Sequence, residues 1–244
     1  MNNPIIPYRI FSLGDSAITV DFGNRIDENI NSEVIERFHQ LQKEPLPGTV
    51  EVVPAYSSLT IHYDLLALRK RIATGLTVFE WVKHQLEGLL QQPAAQTATE
   101  ERVIKIPVCY DHEFAMNLQQ LAGAKDISVE EVIAIHTAKS YKVFMLGFLP
   151  GFAYMGEVDE RIEMPRKPQP ESIVAGSVGI AGKQTGIYPL ASPGGWQIIG
   201  RTPVKLFDAT SHEPALLKTG DRVQFYAITS NEFYEIQNSS LGKT

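Results

Sequence analysis

Residues 143–202 concentrate the side chains that could hold or turn over a small molecule. The cations Arg166, Lys167, Lys183 and Arg201 fall in a stretch otherwise poor in solvated polar runs. A carboxylate or phosphate needs such groups, because charge-assisted hydrogen bonds are short and strong; ordinary solubility charges would look the same. Phe148, Phe152, Tyr154, Tyr188 and Trp196 supply aromatic area that suits the wall of a ligand or partner groove, although each taken singly suits a core slightly better. His136 closes an expected helix, where the dipole favours a cation, so a structural role competes there with proton transfer. The same stretch holds 10 of the 18 glycines and 6 of the 15 prolines. Its backbone is therefore shaped, since Gly admits positive φ and Pro fixes φ and removes a donor. Loops and short strands around an apolar cleft would need this density, and so would a tight barrel with Gly and Pro at its corners.

Other chemistries find less support. Gly176-Ser-Val-Gly-Ile-Ala-Gly182-Lys183-Gln184 departs from a nucleotide P-loop twice: five residues separate its outer glycines, and Gln184 stands where Ser or Thr would hold Mg²⁺. Its backbone amides could still cradle an anion beside Lys183. The histidines, His39, His62, His84, His112, His136 and His212, show no metal spacing, and both His112-Glu113 and His212-Glu213 lack the second histidine of a zincin helix. No metal is expected. Ser177 and Ser192 sit in no serine-hydrolase signature. Cys109 falls on an expected strand, where a buried, inert thiol is the ordinary state.

The elements that must position these groups follow from periodicity. Strands are expected over 8–13 and 17–22, then a helix capped by Asp27 and running to Lys43, with Ile30, Val34, Phe38 and Leu41 on one face. Strands over 50–54 and 58–63 and a short helix over 65–73 come next. Thr77 and Glu80 form a capping box that opens a helix with Val78, Val82, Leu86 and Leu89 as its apolar stripe. Residues 91–100 hold no large apolar side chain and read as a linker. After it we expect a strand over 102–110, helices over 114–123 and 128–136, and strands over 143–147, 173–178, 186–188, 196–199, 204–208, 222–228 and 232–236. Many short strands between Gly and Pro argue for a barrel or sandwich. The expected organisation is an α+β domain over 1–92, a linker over 93–101, a mainly-β domain over 102–238 and a frayed tail over 239–244.

At 244 residues, 43% hydrophobic and 20% charged, the chain is long and apolar enough for two folded domains. A net charge of −6 argues against phosphate-backbone binding as the main activity, so no nucleic-acid partner is expected. One cysteine cannot form an internal disulfide, no signal-peptide pattern opens the chain, and no apolar run approaches the ~18–20 residues of a membrane helix. The cytoplasm is the expected compartment, without a membrane partner.

Several ordered strings carry a family resemblance. Gly147-Phe-Leu-Pro-Gly-Phe-Ala-Tyr-Met-Gly156, Pro165-Arg166-Lys167, Ala175-Gly-Ser-Val-Gly-Ile-Ala-Gly-Lys-Gln-Thr-Gly-Ile-Tyr-Pro189, Ser192-Pro-Gly-Gly-Trp196 and Ile199-Gly-Arg-Thr-Pro203 resemble the family of 5-oxoprolinase B-type subunits. That family is also known as allophanate hydrolase subunit 1-like and includes the sporulation histidine-kinase inhibitor. Gly14-Asp15 and Pro54-Ala-Tyr-Ser-Ser58 extend the resemblance over nearly the whole chain. Glu171 stands where an Arg is common, and Val174 where a Pro is common. The resemblance implies an α+β fold, with a small domain followed by a cyclophilin-like barrel. It also implies a hetero-oligomer with the C-type subunit of 5-oxoprolinase, a further A-type subunit, and ATP-dependent opening of 5-oxoproline, with the chain inactive or nearly so alone. ATP would arrive with its own Mg²⁺. Under it, Arg201, Lys183 and, more weakly, His136 become catalytic candidates. Arg166, Gln184, Tyr188, Phe152, Tyr154, Trp196 and Ser177 become substrate-binding ones. Two alternatives stay open: an inhibitor that clamps a sensor histidine kinase, and a carboxyltransferase-type domain of a urea or allophanate system. The fold does not by itself license prolyl isomerase activity.

Overall fold

The computed structural model describes residues 6–72, 74–92 and 102–241. The chain divides into two compact units, Met1–Glu100 and Glu101–Thr244, and the expected linker over 93–101 lies outside the described residues. Among those residues, no helix is long and apolar enough to cross a membrane.

The first unit contains β1 (Arg9–Ser12), β2 (Ala17–Asp21), α1 (Glu28–Lys43), β3 (Thr49–Pro54), β4 (Ser58–Tyr63), α2 (Leu65–Arg69) and α3 (Val78–Leu90). Its sheet is antiparallel in the order β1-β2-β4-β3. Alternation in β4 sends Leu59, Ile61 and Tyr63 into a core that also takes Ile30, Val34 and Leu41 from α1 and Val78, Val82, Leu86 and Leu90 from α3. Both caps form as expected: Asp27 accepts from the N–H groups of Asn29 and Ile30, and Thr77 and Glu80 make a full capping box. The expected helix over 65–73 is shorter, because the N–H groups of Arg71 and Ile72 both turn back to Leu68 O.

Arg37 ties α1 to the end of α3. It is 4% exposed. Its Nε donates to Glu33 Oε1 at 2.7 Å, Nη1 to Gln40 Oε1 and Leu89 O, and Nη2 to Leu90 O and Gln92 O. One planar fork thus ties α1 to three carbonyls at and just beyond the end of α3.

The second unit contains β5 (Val103–Cys109), α4 (Leu118–Lys125), α5 (Val129–Ala138), β6 (Ser140–Leu146), β7 (Ala153–Gly156), a 3₁₀ turn (Glu160–Ile162), β8 (Glu171–Ile173), β9 (Ser177–Ala181), β10 (Gln184–Ile187), β11 (Ser192–Gly194), β12 (Gln197–Arg201), β13 (Arg222–Ile228) and α6 (Ser230–Leu241). Seven strands close a barrel in the order β10-β7-β6-β13-β5-β12-β9, and β8 and β11 form a separate ribbon. The first and last barrel strands, β5 and β13, pair in parallel over seven residues. Side chains from the strands and from α4 and α5 make one main core, including Ile106, Val108, Tyr141, Val178, Ile180 and Phe225.

Four expected elements of this unit differ. Residues 173–178 are not one strand, since Gly176 takes φ +84° where a Cβ would run into Thr202 O, so β8 ends before β9 begins. The helix expected over 114–123 starts at Leu118, because Asn117 is paired to Ile198 through both its N–H and its Oδ1. Residues 204–208 contribute only an isolated bridge at Phe207, as the Asp208 carboxylate turns the chain by accepting from Thr210. Residues 232–236 are helical. Thr229 and Glu232 bond reciprocally, a Thr-x-x-Glu capping box that starts α6 and carries it into the tail expected to fray from 239.

We expect Arg37→Ala to lower unfolding free energy by about 2–4 kcal/mol, the cost of stranding buried partners of a charged donor. Urea unfolding monitored by circular dichroism checks this.

Candidate functional site

The site is built on the face of β7, β9 and β10 that points away from the main core. Alternation places Ala153, Met155, Val178, Ile180 and Ile187 in that core. The intervening positions, Tyr154, Gly179, Ala181 and Gly186, therefore face outward. Gly179 and Gly186 pair directly across β9 and β10. A Cβ on Gly186 would lie 2.9 Å from the Trp196 ring, and one on Gly179 3.1 Å from Trp196 Cβ. The bare backbone lets the indole lie against the barrel wall.

Phe152, 1% exposed, is the hub of what lies there. It meets Tyr154 at 4.8 Å, Tyr188 at 5.2 Å, Trp196 at 5.4 Å and Phe148 at 5.7 Å between ring centroids, all edge-on. Edge-to-face pairs are favoured by ring quadrupoles, about 0.5–1.5 kcal/mol each beyond burial. These five rings form the wall of a cavity of about 540 Å³, completed by Pro165, Arg166, Pro170, Ala181, Gly182, Gln184, Pro193, Gly194 and Gly195. Phe148 forms an exposed lip in the left-handed region at φ +69°.

Arg166 is the cation of this cavity. Its backbone is clamped on both sides: Gly182 N donates to Met164 O at 2.7 Å, Gln197 Nε2 to Pro165 O at 2.9 Å, and Lys167 N to Gly195 O at 2.7 Å. Its guanidinium lies against Gly195, and it forms no ion pair among the described residues. The neighbouring Lys167 is cancelled by Glu171 at 2.7 Å. Burial raises the Tyr188 phenol above its ordinary value, against a hydrogen bond from the Trp196 backbone and the pull of Arg166. Tyr154 is raised by burial too, with Arg166 opposing. Both phenols remain neutral donors at physiological pH, beside a permanent positive charge.

Of the residues singled out by sequence, Arg166, Gln184, Tyr188, Phe152, Tyr154 and Trp196 meet in this cavity. Arg201 does not: its Nε donates to Ala175 O, and its guanidinium sits 5.7 Å above the Phe233 ring. Lys183 is exposed on the turn between β9 and β10. Ser177 is buried at the start of β9, opposite Arg201. The glycine run around it is strand rather than anion cradle. His136 is wholly buried, with Nδ1 2.8 Å from Tyr110 Oη, Nε2 3.0 Å from Thr185 Oγ1 and its ring stacked on Phe225. Cys109 is buried, which raises its thiol. Among the described residues, no group of three His, Cys, Asp or Glu side chains could hold a metal ion. Sequence reasoning gave no site role to Pro165, Pro170, Pro193, Gly194 and Gly195; the run Ser192-Pro-Gly-Gly-Trp196 was the signal for the last three.

The family described as carboxyltransferase domain, subdomain C and D, matches residues 8–217. A Bacillus subtilis (strain 168) protein named as the B-type subunit of 5-oxoprolinase is 43% identical over 237 residues, covering 96% of this chain and 99% of its own. Among solved structures, TTHA0988 aligns with a TM-score of 0.74 at 36% identity over 88% of this chain, which spans 40% of that longer protein. The Kluyveromyces lactis urea amidolyase aligns with a TM-score of 0.74 at 20% identity, over 98% of this chain and 16% of its own, a likeness of fold alone. A small α+β unit followed by a cyclophilin-like barrel is the architecture these likenesses share with the structure.

Two outcomes are expected. A Cβ at residue 194 would collide with the Tyr188 hydroxyl, so Gly194→Ala should displace that ring and alter near-ultraviolet circular dichroism while leaving far-ultraviolet signal intact. Burial drives His136 down to about 3, whereas an unfolded histidine titrates near ~6.5. The unfolded state therefore takes the proton first. Its contribution to stability is full above pH ~6.5 and drains away towards pH ~3, roughly 4–5 kcal/mol at most. Urea unfolding across that range checks this, and a His136→Gln variant should lack this component of the slope.

Proposed function

Because this chain belongs to the family of 5-oxoprolinase B-type subunits, we propose that it works within an ATP-dependent hydrolase complex that opens 5-oxoproline to glutamate, and that its aromatic cavity holds the lactam acid. One observation carries the placement. Arg166, clamped by its backbone and without an ion-pair partner among the described residues, stands beside an apolar well large enough for a five-membered ring. A monocarboxylate would take a bidentate bond from its guanidinium. The ring would lie among Phe152, Tyr188 and Trp196, and the Tyr154 and Tyr188 hydroxyls with the Gln184 amide are the polar groups available to the lactam.

The chemistry explains the use of ATP as co-substrate. The lactam oxygen attacks the γ-phosphorus, ADP leaves, and the ring carbon becomes electrophilic. Water adds there, the carbon–nitrogen bond breaks, and the amine takes a proton, leaving γ-glutamyl phosphate. A second water releases phosphate and glutamate. Such transfer depends on positioning and charge neutralisation more than on a covalent nucleophile. The cavity lining contains one cation and no Asp or Glu. It fits a singly charged acid, and a magnesium-bound triphosphate needs more. We therefore assign the phosphate-binding groups to the C-type subunit, facing this cavity, with the A-type subunit completing hydrolysis. TTHA0988, of which this chain matches 40%, carries the additional length for such a partner within one polypeptide.

In the assembled complex of this chain with its C-type and A-type partners, Arg166→Gln should raise KM for 5-oxoproline about 10–100-fold, the worth of a charge-assisted bond, with a smaller effect on kcat. ADP release coupled to glutamate formation measures both. An unchanged KM would remove the cavity from the reaction; ADP release indifferent to 5-oxoproline in every combination of partners would overturn the activity itself.

A further inference from the structure

We infer that His136 is a positioning residue, which through Thr185 sets the spacing of the β9–β10 pair that carries the aromatic cavity, from the opposite side of the barrel wall. The inference rests on the cavity assignment above for its effect on turnover, and on geometry alone for its effect on the cavity.

The hydrogen positions follow from counting donors. The Thr185 hydroxyl has one proton, and it donates that proton to Gly179 O at 3.1 Å. Towards His136 Nε2, 3.0 Å away, it can then only accept, so Nε2 carries a hydrogen. A wholly buried imidazole with no carboxylate bonded to it is neutral, which leaves Nδ1 bare to accept from Tyr110 Oη at 2.8 Å. The bonds therefore run in one direction, Tyr110 to His136 to Thr185 to Gly179. The imidazole cannot swing to break the relay, because Phe225 stacks on it at 4.6 Å and 19°, and its backbone carbonyl accepts from Tyr141 Oη.

The relay ends where the cavity is least supported. Gly179 and Gly186 offer no side chains to wedge β9 and β10 apart or hold them together on the outer face. Trp196 nevertheless packs on Gly186 at a distance a single Cβ would close. The cross-strand bond from Thr185 on β10 to Gly179 on β9 supplies that restraint from the core side, and His136 orients the hydroxyl that makes it. Small displacements of a substrate-holding wall cost turnover disproportionately.

The test uses a Trp81→Phe background, in which Trp196 is the remaining indole of the two. Nitrogen-15 NMR of the otherwise native protein should show a neutral His136 protonated at Nε2. Thr185→Val, nearly isosteric but without a hydroxyl, should leave cooperative unfolding in place. It should raise acrylamide quenching of Trp196 about twofold and raise KM for 5-oxoproline roughly tenfold in the assembled complex, with Thr185→Ser restoring both. An Nδ1-protonated histidine, or a Thr185→Val protein with unchanged quenching, overturns the inference. If Thr185→Val does not fold, Thr185→Ala against Thr185→Ser gives the same comparison. Loosened Trp196 in a protein whose complex ignores 5-oxoproline would uphold the relay and sink the substrate assignment. Tight 5-oxoproline use with unaltered Thr185→Val behaviour would do the reverse.

Discussion

Two glycines facing each other across β9 and β10 make the site possible. Gly179 and Gly186 leave a bare strip of barrel wall, and Trp196 occupies the space that two Cβ atoms would have filled. With the indole seated there, Phe152 can stand edge-on to four other rings at once. The cavity is thus an outgrowth of the strand pairing. Its hydrophobic wall is continuous with a small cluster separate from the main core, so the site does not compete with the barrel interior for apolar side chains.

Charge is distributed with the same economy. Lys167 is matched by Glu171, the cavity lining carries no carboxylate, and Arg166, without an ion pair among the described residues, stands beside two phenols that burial keeps protonated. A site of this kind favours one negative charge attached to an otherwise neutral, flat molecule, because any second charge would lose water without gaining a partner. Behind the wall, His136 shows the complementary rule: a buried polar group persists where every hydrogen-bonding position is occupied.

Helix starts were the most legible features of the chain. Asp27 and Thr77 cap the helices that follow them, because a cap depends on three or four consecutive residues and little else. Thr229 with Glu232 carried the same signal and outweighs the Phe233, Tyr234 and Ile236 side chains that read as a strand over 232–236. Two other elements failed where a distant segment intervened. Asn117 pairs with Ile198 and delays α4, and the approach of Thr202 to Gly176 splits one expected strand in two.

The site divides in the same way. Sequence alone marked residues 143–202 as the candidate site, through their glycine and proline density, their aromatic residues and the strings that mark the family; it also marked Arg166, Gln184, Tyr188, Phe152, Tyr154 and Trp196, which converge on one cavity. Only the tertiary structure decided that Arg201 and Lys183 stand apart from that cavity and that His136 lies behind its wall. A side chain's type is local, but the face of a strand on which it emerges depends on register, and register is set by pairing across the barrel.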